Sequence, residues 1–413
     1  MLVNYLKMAW KILLRRKFFT FISLFAVSAT LLVLLVATAM FDGVFGPRAP
    51  ETRAGRTLGA YVLAMTGPQA TRSAMPGFGF LDRYARNLPG VERMTIFSLP
   101  SSVVSFPGGA KVTSYLKRTD GEFWRVLDFQ FLEGGPYTPE DDAAGNAVAV
   151  INASTRHRFF GDQPALGKTL EADGQTFRVV GVVPDVPFVR VAPFADIWVP
   201  TGTAKSSLFR HELVADHQAL FVARSTADLP IIRAAFQERL KSVTLPDPKE
   251  FDHLYGGAET LFEAASRLFG PIRVETAQPA LLRTILFALA VLFMTLPALN
   301  LANINLSRIL ERSSEIGVRK AFGASSRTLI GQFLVENVVL TTAGAVLGLI
   351  FAGAALQAIN ASGLIPYSQF TLNWRVFGWA LGLALFFGVL SGVIPAWRMS
   401  RLHPVVALRG RSL

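Results

Sequence analysis

Four long apolar runs constrain this chain more than any other feature. A helix that crosses a bilayer needs about 20 consecutive, mostly apolar residues. Phe18 to Phe41 supplies 24 residues without a charge, and Thr284 to Leu306 is a second uncharged run. Leu329 to Ile359 is a third, interrupted only by Glu336, and Trp374 to Trp397 is a fourth, with Arg375 at its edge. One such run could be the buried helix of a soluble protein, but four together read as membrane spans. The first run also exceeds a secretory h-region, which holds about 7–15 residues, although Ala37-Thr38-Ala39 has the form of a cleavage site. With 51% apolar and 17% charged residues, disorder is excluded. The absence of cysteine excludes a disulfide framework, thiol catalysis and Cys-ligated metal.

Charge gives the orientation. Of the 413 residues, 41 are Lys or Arg and 29 Asp or Glu, for a net charge of +12. Residues 1–17 carry Lys7, Lys11, Arg15, Arg16 and Lys17 and no acid. The 307–327 loop carries Arg308, Arg312, Arg319, Lys320 and Arg327 against Glu311 and Glu315. The 398–413 tail carries Arg398, Arg401, Arg409 and Arg411 and no acid. These three segments hold the whole excess, and the rest of the chain balances at 27 basic and 27 acidic residues. That is the positive-inside pattern, not a nucleic-acid patch. It predicts cytoplasmic termini, a cytoplasmic 307–327 loop and an exported region at 43–280. Within residues 1–17, Leu6, Trp10 and Leu13 line one helical face beside Lys7, Lys11 and Arg15. This fits a helix lying along the inner membrane surface, and it also fits a simple extension of the first span.

The expected class is therefore an α-helical membrane protein with four transmembrane helices and a large α+β extracytoplasmic domain of two subdomains. Its spans are 18–42, 281–306, 328–359 and 374–397, with a short outer loop at 360–373. In the exported region, Ala147 to Ile151, Thr176 to Val183 and Ile197 to Pro200 read as strands. Gly79 to Leu88, Ala153 to Phe160 and Leu229 to Val243 read as helices. In the second run, Pro297 predicts a kink. The third and fourth runs place Gly344 with Gly348, and Gly388 with Gly392, at four-residue spacing. Small residues so spaced let helices approach closely, within a bundle or a dimer.

Catalytic signals are missing. Gly161 to Thr169 imitates a phosphate loop, but five residues separate Gly161 from Gly167 where the motif needs four, and Pro164 lies inside. A turn between helix and strand is the better reading. His157, His211, His217, His253 and His403 form no ligand-spaced set, and no Gly-x-Ser-x-Gly elbow occurs. Asp141-Asp142 reads as a solvated turn, and Asn152-Ala-Ser154 as a chance match to the glycosylation pattern. No cytoplasmic segment exceeds about 21 residues on this topology, so chemical energy has to come from a partner.

The 307–327 loop is the most informative segment. Glu311 and Glu315 sit one helical turn apart, and Glu315 with Arg319 forms a favourable i,i+4 pair. Gly323 suits a helix C-cap, and Ser325 or Ser326 an N-cap for the third span. A short charged helix across the inner surface could pass a push into the membrane, or be merely interfacial.

Here the sequence resembles a known family. Asn303-Ile-Asn-Leu-Ser, Glu311 to Ala324 with its Glu315-Ile316-Gly317-Val-Arg319-Lys320-Ala-Phe-Gly323 core, and Gln332 to Glu336 resemble the hallmark segment of MacB/FtsX-type ABC transporter permeases. Pro395 to Arg409 is similar to that family's terminal signature, and Ala147 to Asp185 to the MacB-type periplasmic core domain. The resemblance implies four spans with the ectodomain between the first and second. It implies a dimer with a second copy or a paralogue, and an ABC ATPase docked on Glu311, Glu315, Ile316, Gly317, Arg319, Lys320 and Gly323. In MacB the ATPase is fused at the N-terminus; here 17 residues precede the first span, so a separate ATPase subunit is expected, carrying ATP and Mg, with no cofactor in this chain. Together with the residue patterns, the resemblance suggests a strand-rich lobe near 92–210 inserted into a second lobe made of 45–91 and 211–275.

The implied function is mechanotransmission: ATP-driven closure inside moves the domain outside, sending a periplasmic substrate towards an adaptor and an outer-membrane duct. The expected location is the bacterial inner membrane, in contact with lipid and not with nucleic acid. Lipoprotein extraction and FtsX-like control of a cell-wall hydrolase are related alternatives. A membrane-anchored sensor lacks an encoded output. A secondary transporter needs a larger bundle or paired repeats with ionisable residues at midplane.

Overall fold

The computed structural model describes residues 15, 17–68, 70–245, 247–269, 277–311 and 326–400. Side chains within the helices at 294, 296–298, 300–302, 304–311, 326–330, 333, 391–392 and 394–400 lie outside that description.

The chain opens with α1 (Lys17–Phe45). Three strands follow, β1 (Thr57–Ala60), β2 (Leu63–Thr66) and β3 (Thr71–Pro76). Next come β4 (Val91–Ser98), β5 (Ser101–Ser105), β6 (Val112–Thr119) and β7 (Glu133–Gly134). Helix α2 (Pro139–Ala144) leads to β8 (Val148–Asn152), α3 (Ala153–Phe160), β9 (Thr169–Ala172), β10 (Gln175–Val183) and β11 (Ile197–Pro200). The domain closes with β12 (Val214–Ala215), β13 (His217–Ala223), α4 (Leu229–Lys241), β14 (His253–Gly256) and α5 (Leu261–Ser266). Helices α6 (Pro279–Glu311), α7 (Ser326–Ala361) and α8 (Trp374–Ser400) complete the described chain.

The described residues fall into two compact units. One holds the helices, up to Gly43, with Thr284–Ser362 and the chain from Phe370. The other is Val44–Arg283 together with Gly363–Gln369.

In the helical unit, α1 buries a narrow stripe, Ser23, Val27, Ser28, Leu31, Leu35, Ala39 and Gly43, at three- and four-residue spacing. Val27, Leu31 and Leu35 meet Leu340, Ala345 and Ala352 of α7 and Ala380 and Ala384 of α8. The opposite face leaves Phe18, Phe21 and Phe25 exposed. A helix apolar all round but buried on one stripe suits lipid contact. Among the described residues, two helices are long and apolar enough to cross a membrane, Lys17–Phe45 and Leu334–Ala361; Pro279–Phe293 and Trp374–Leu390 are shorter apolar stretches. Helix α6 continues through Pro297.

In the second unit, alternating and fully apolar strands build a ten-stranded sheet in the order β1-β13-β4-β6-β11-β8-β10-β7, with β5 beside β6 and β9 beside β10. A four-stranded sheet runs β12-β3-β2-β14. The strands expected at 147–151, 176–183 and 197–200 are β8, β10 and β11. Helix α3 begins where the Asn152 side chain accepts from Thr155 N–H at 2.8 Å, and ends at Gly161, whose φ of 59° suits glycine. The stretch expected as a helix at 79–88 is instead a short turn, Phe78–Phe80, running into π-helical Leu81–Ala85. One buried cluster draws on Leu58 to Ile96 with Val214 to Ala258 and another on Val103 to Val199, but the large sheet crosses the boundaries expected at 92 and 210. Strands β1 and β13 come from the flanks yet extend the large sheet, because β13 pairs with β4 over most of its length. Within the 360–373 loop, Gly363–Gln369 is part of this domain.

Candidate functional site

Between β10 and β11 the chain makes a proline-rich crossing, Pro184 to Asp196. A loop normally stays at the surface, because burial strands its polar backbone groups. Here Val186, Arg190, Ala192 and Phe194 to Asp196 are all buried. The carbonyls are satisfied from below by Lys117, fully buried on β6, whose Nζ donates to Val191 O at 2.7 Å and Ala192 O at 2.5 Å. The same ammonium stands 5.0 Å over the Phe97 ring. Burial pulls the Lys117 pKa well down, against the attraction of Glu51.

From this crossing, two side-chain groups reach the chain segments that adjoin the apolar helices. Arg190, 3% exposed, pairs with Glu51 at 3.0 Å. Its guanidinium also donates to Arg48 O at 3.0 Å and to Gly46 O. These partners lie one to six residues beyond the end of α1. Burial raises the Glu51 carboxyl, and Arg190 and Lys117 pull it back. A cavity of about 300 Å³ beside them is lined by Phe45, Gly46, Glu51, Tyr61 and Arg190 among others.

The second group is centred on Asp196, 2% exposed. Its Oδ2 accepts from Tyr115 N–H at 2.8 Å. Its Oδ1 accepts from Asn152 Nδ2 at 3.0 Å and from the Tyr367 hydroxyl at 2.6 Å. Arg158 Nη2 lies 3.2 Å from the same oxygen and donates to Tyr367 Oη at 3.1 Å. Phe188 N–H donates to Pro366 O at 3.0 Å. Tyr115, Phe188, Phe194 and Tyr367 form a ring cluster with centroid separations of 5.1 to 6.4 Å. Desolvation and the neighbouring Asp196 push the Tyr367 phenol up to about 12. The crossing is thus a clasp: Arg190 holds the chain leaving α1, and Asp196 holds the loop joining α7 to α8.

The residues singled out in the sequence lie elsewhere. Glu311 is the last residue of α6; its side chain, and Glu315, Ile316, Gly317, Arg319, Lys320 and Gly323, lie outside the described residues. A methyl group at Gly344 would stand 2.8 Å from Val27 Cβ, and one at Gly348 would stand 2.9 Å from Leu31 Cβ. At Gly388 it would stand 2.5 Å from Thr341 Oγ1. Gly344 and Gly348 thus lie where α7 meets α1, and Gly388 where α8 meets α7. The surroundings of Gly392 lie outside the description. Gly161 to Thr169 is a turn in which Lys168 Nζ donates to Gln163 Oε1 at 2.5 Å. Asn152 is fully buried as the cap of α3. Asp141 makes a capping box with Thr138, and Asp142 accepts from Gly202 N–H at 2.8 Å. The clasp itself was missed. Its signal was an arginine set in an apolar, proline-rich stretch, Pro187-Phe-Val-Arg190-Val-Ala-Pro-Phe-Ala, where a solvated loop would be polar.

With the geometry in hand, comparison with known proteins is decisive. The family model of the MacB-like periplasmic core domain matches residues 20–239, just over half the chain. The model of the FtsX-like permease C-terminal region matches residues 287–404. The chain belongs to the MacB/FtsX-type permease family. Members of this family are ABC-transporter permeases with a periplasmic core domain. A pyoverdine export ATP-binding/permease protein, PvdT of Pseudomonas fluorescens, is 27% identical over 415 residues, covering 98% of this chain and 59% of its own. The ABC transporter permease YknZ of Bacillus subtilis is 24% identical over 334 residues, covering 80% of this chain and 79% of its own. The crystal structure of the periplasmic region of MacB from Actinobacillus actinomycetemcomitans aligns at TM-score 0.36 and 17% identity, over 45% of this chain and 83% of that one. This chain spans about 59% of the length of the curated PvdT relatives it matches.

Proposed function

We propose that this chain is the membrane subunit of an ABC exporter that turns ATP hydrolysis on a separate subunit into movement of its periplasmic core domain. In this reading α1, α6, α7 and α8 all span the inner membrane, with both termini inside and residues 43–280 outside. The ATPase, holding ATP and Mg, docks on the 307–327 loop. Two such permeases pair, and a periplasmic substrate is driven towards an adaptor and an outer-membrane duct. The charge asymmetry of the flanks supports the orientation. The pyoverdine export for which the PvdT relative is named favours export.

One observation carries the coupling. The core domain holds, through buried ion pairs and hydrogen bonds, the chain segments continuous with α1, α7 and α8. In this reading a displacement of those helices enters the domain along these segments. In the 307–327 loop, Glu315 and Arg319 are the residues through which the ATPase would push.

The test is to replace Glu315 and Arg319 singly by alanine in the complex with its ATPase. The expected result is ATP hydrolysis that no longer supports export, or loss of the ATPase from the complex. Two correctly inserted variants with wild-type coupling would refute the assignment. Lipoproteins building up in the inner membrane on depletion, with export unaffected, would move the reading to lipoprotein extraction.

A further inference from the structure

The docking of Gly363–Gln369 is more specific than a passing contact. This loop is the short connection between α7 and α8, far in sequence from the domain that holds it: Tyr367 lies 171 residues from Asp196 and 209 from Arg158. Its backbone is bent to fit. Tyr367 has a φ of 56°, in the left-handed region that a bulky residue avoids unless its surroundings impose it. The imposing contacts are those on its ring and hydroxyl. Pro366 lends its carbonyl to Phe188 N–H, and Ser368 is buried. Arg48, in the segment leaving α1, also reaches Gln369 O at 3.4 Å.

We propose that the α7–α8 loop is a fixed anchor of the core domain, held at Tyr367 by Asp196 and Arg158, and that loop and domain move as one body through the transport cycle. The docking stands on the geometry alone; movement as one body through the cycle rests on the coupling function proposed above. Exposed ion pairs hold weakly, because water competes for both partners. This contact centres on a buried carboxylate whose Oδ1 is shared by Tyr367, Asn152 and Arg158, beside Phe194, 1% exposed. With the Tyr367 phenol pushed up to about 12, the hydroxyl stays protonated and donating at any physiological pH. Arg158, Asp196 and Tyr367 are then positioning residues. They give the domain a second hold on the chain, in the loop Gly363–Gln369, in addition to the one on the segment that follows α1.

Two experiments test this on the full chain. The first needs no ATPase. Tyr367→Phe keeps the ring and removes the donor, so hydrogen exchange at the Phe188 amide should speed up by about tenfold. Unchanged exchange would overturn the docking. The second exploits the absence of cysteine. Phe188→Cys with Pro366→Cys should form a disulfide under mild oxidation in membranes. The yield should be equal in nucleotide-free, ATP-loaded and vanadate-trapped complexes with the ATPase. The locked complex should hydrolyse ATP within about twofold of its reduced form, less than the effect of one lost charged hydrogen bond. No disulfide, a yield that collapses on trapping, or arrest of turnover by the lock would each contradict a fixed anchor. Because the exchange measurement stands apart from ATP hydrolysis, it separates failure of the docking from failure of the coupling function.

Discussion

Removing Arg190 probes the clasp most sharply. In Arg190→Ala the Glu51 carboxylate loses its ion-pair partner, and the carbonyls of Gly46 and Arg48 lose donors. Breaking a buried pair by deleting one partner costs roughly 3–5 kcal/mol. Glu51 retains 20% side-chain exposure, and the adjoining cavity of about 300 Å³ can admit water to the freed carbonyls. The lower end, about 3 kcal/mol, is therefore the better figure. For a domain of this size, 1 kcal/mol shifts the melting temperature by about 2–4 °C, which gives a fall of about 6–12 °C. Trp124 and Trp198 sit in the core of the domain, with ring centroids 6.1 Å apart, so tryptophan fluorescence of the purified full chain reads its melting. Glu51→Gln leaves the Arg190 bonds to both carbonyls and should cost less, about 1 kcal/mol. A shift below about 2 °C in Arg190→Ala, or equal shifts in the two variants, would refute the reasoning.

Three further outcomes follow. Gly344→Leu should destabilise the helical unit by about 1–3 kcal/mol, because even a methyl group there meets Val27, whereas Gly382→Leu, with nothing within 4 Å of its Cβ, should be neutral; heat resistance of the chain in detergent compares them. Asp120 is buried, accepting from Thr95 Oγ1 at 2.6 Å and Ile96 N–H at 2.9 Å, and burial outweighs these bonds to push its pKa from 3.8 to about 6. Since the folded state holds this proton more tightly, its stabilisation is complete below pH 3.8 and is lost as pH rises to about 6. That loss amounts to about 3 kcal/mol, and the difference in melting temperature between wild type and Asp120→Asn, followed across this range, reads it. Reporter enzymes fused after residues 150 and 317 should report outside and inside respectively, and the reverse pattern would invert the topology.

Much of the architecture could be read from residue order because it is local. The four apolar runs became the helices α1, α6, α7 and α8, two of them long and apolar enough among the described residues to cross a membrane, and Asn152 and Gly161 bound α3 where capping chemistry puts them. The apolar run Val148 to Ile151 became β8, covered on both faces, whereas β10 alternates between exposed and buried before its buried end at Gly181–Val183. The clasp was not legible in the same way. Arg190 meets Gly46 across 144 residues, and Tyr367 meets Asp196 across 171. Nothing in either stretch names its partner. The continuity of the large sheet across the two expected lobes was hidden for the same reason: pairing of β1 and β13 with it is non-local, and alternation within a strand does not say which strand lies beside it. The π-helical turn at Leu81–Ala85 also overrides a pattern that reads as an ordinary helix.

The most direct measurement places a nitroxide label at Arg239→Cys, on an exposed turn of α4, in the cysteine-free chain. The distance between the labels of two paired copies is then recorded in the complex with its ATPase. Coupling predicts that this distance shifts when ATP binds and returns after hydrolysis. A distance that stays constant while the same sample hydrolyses ATP would contradict transmission of force to the core domain.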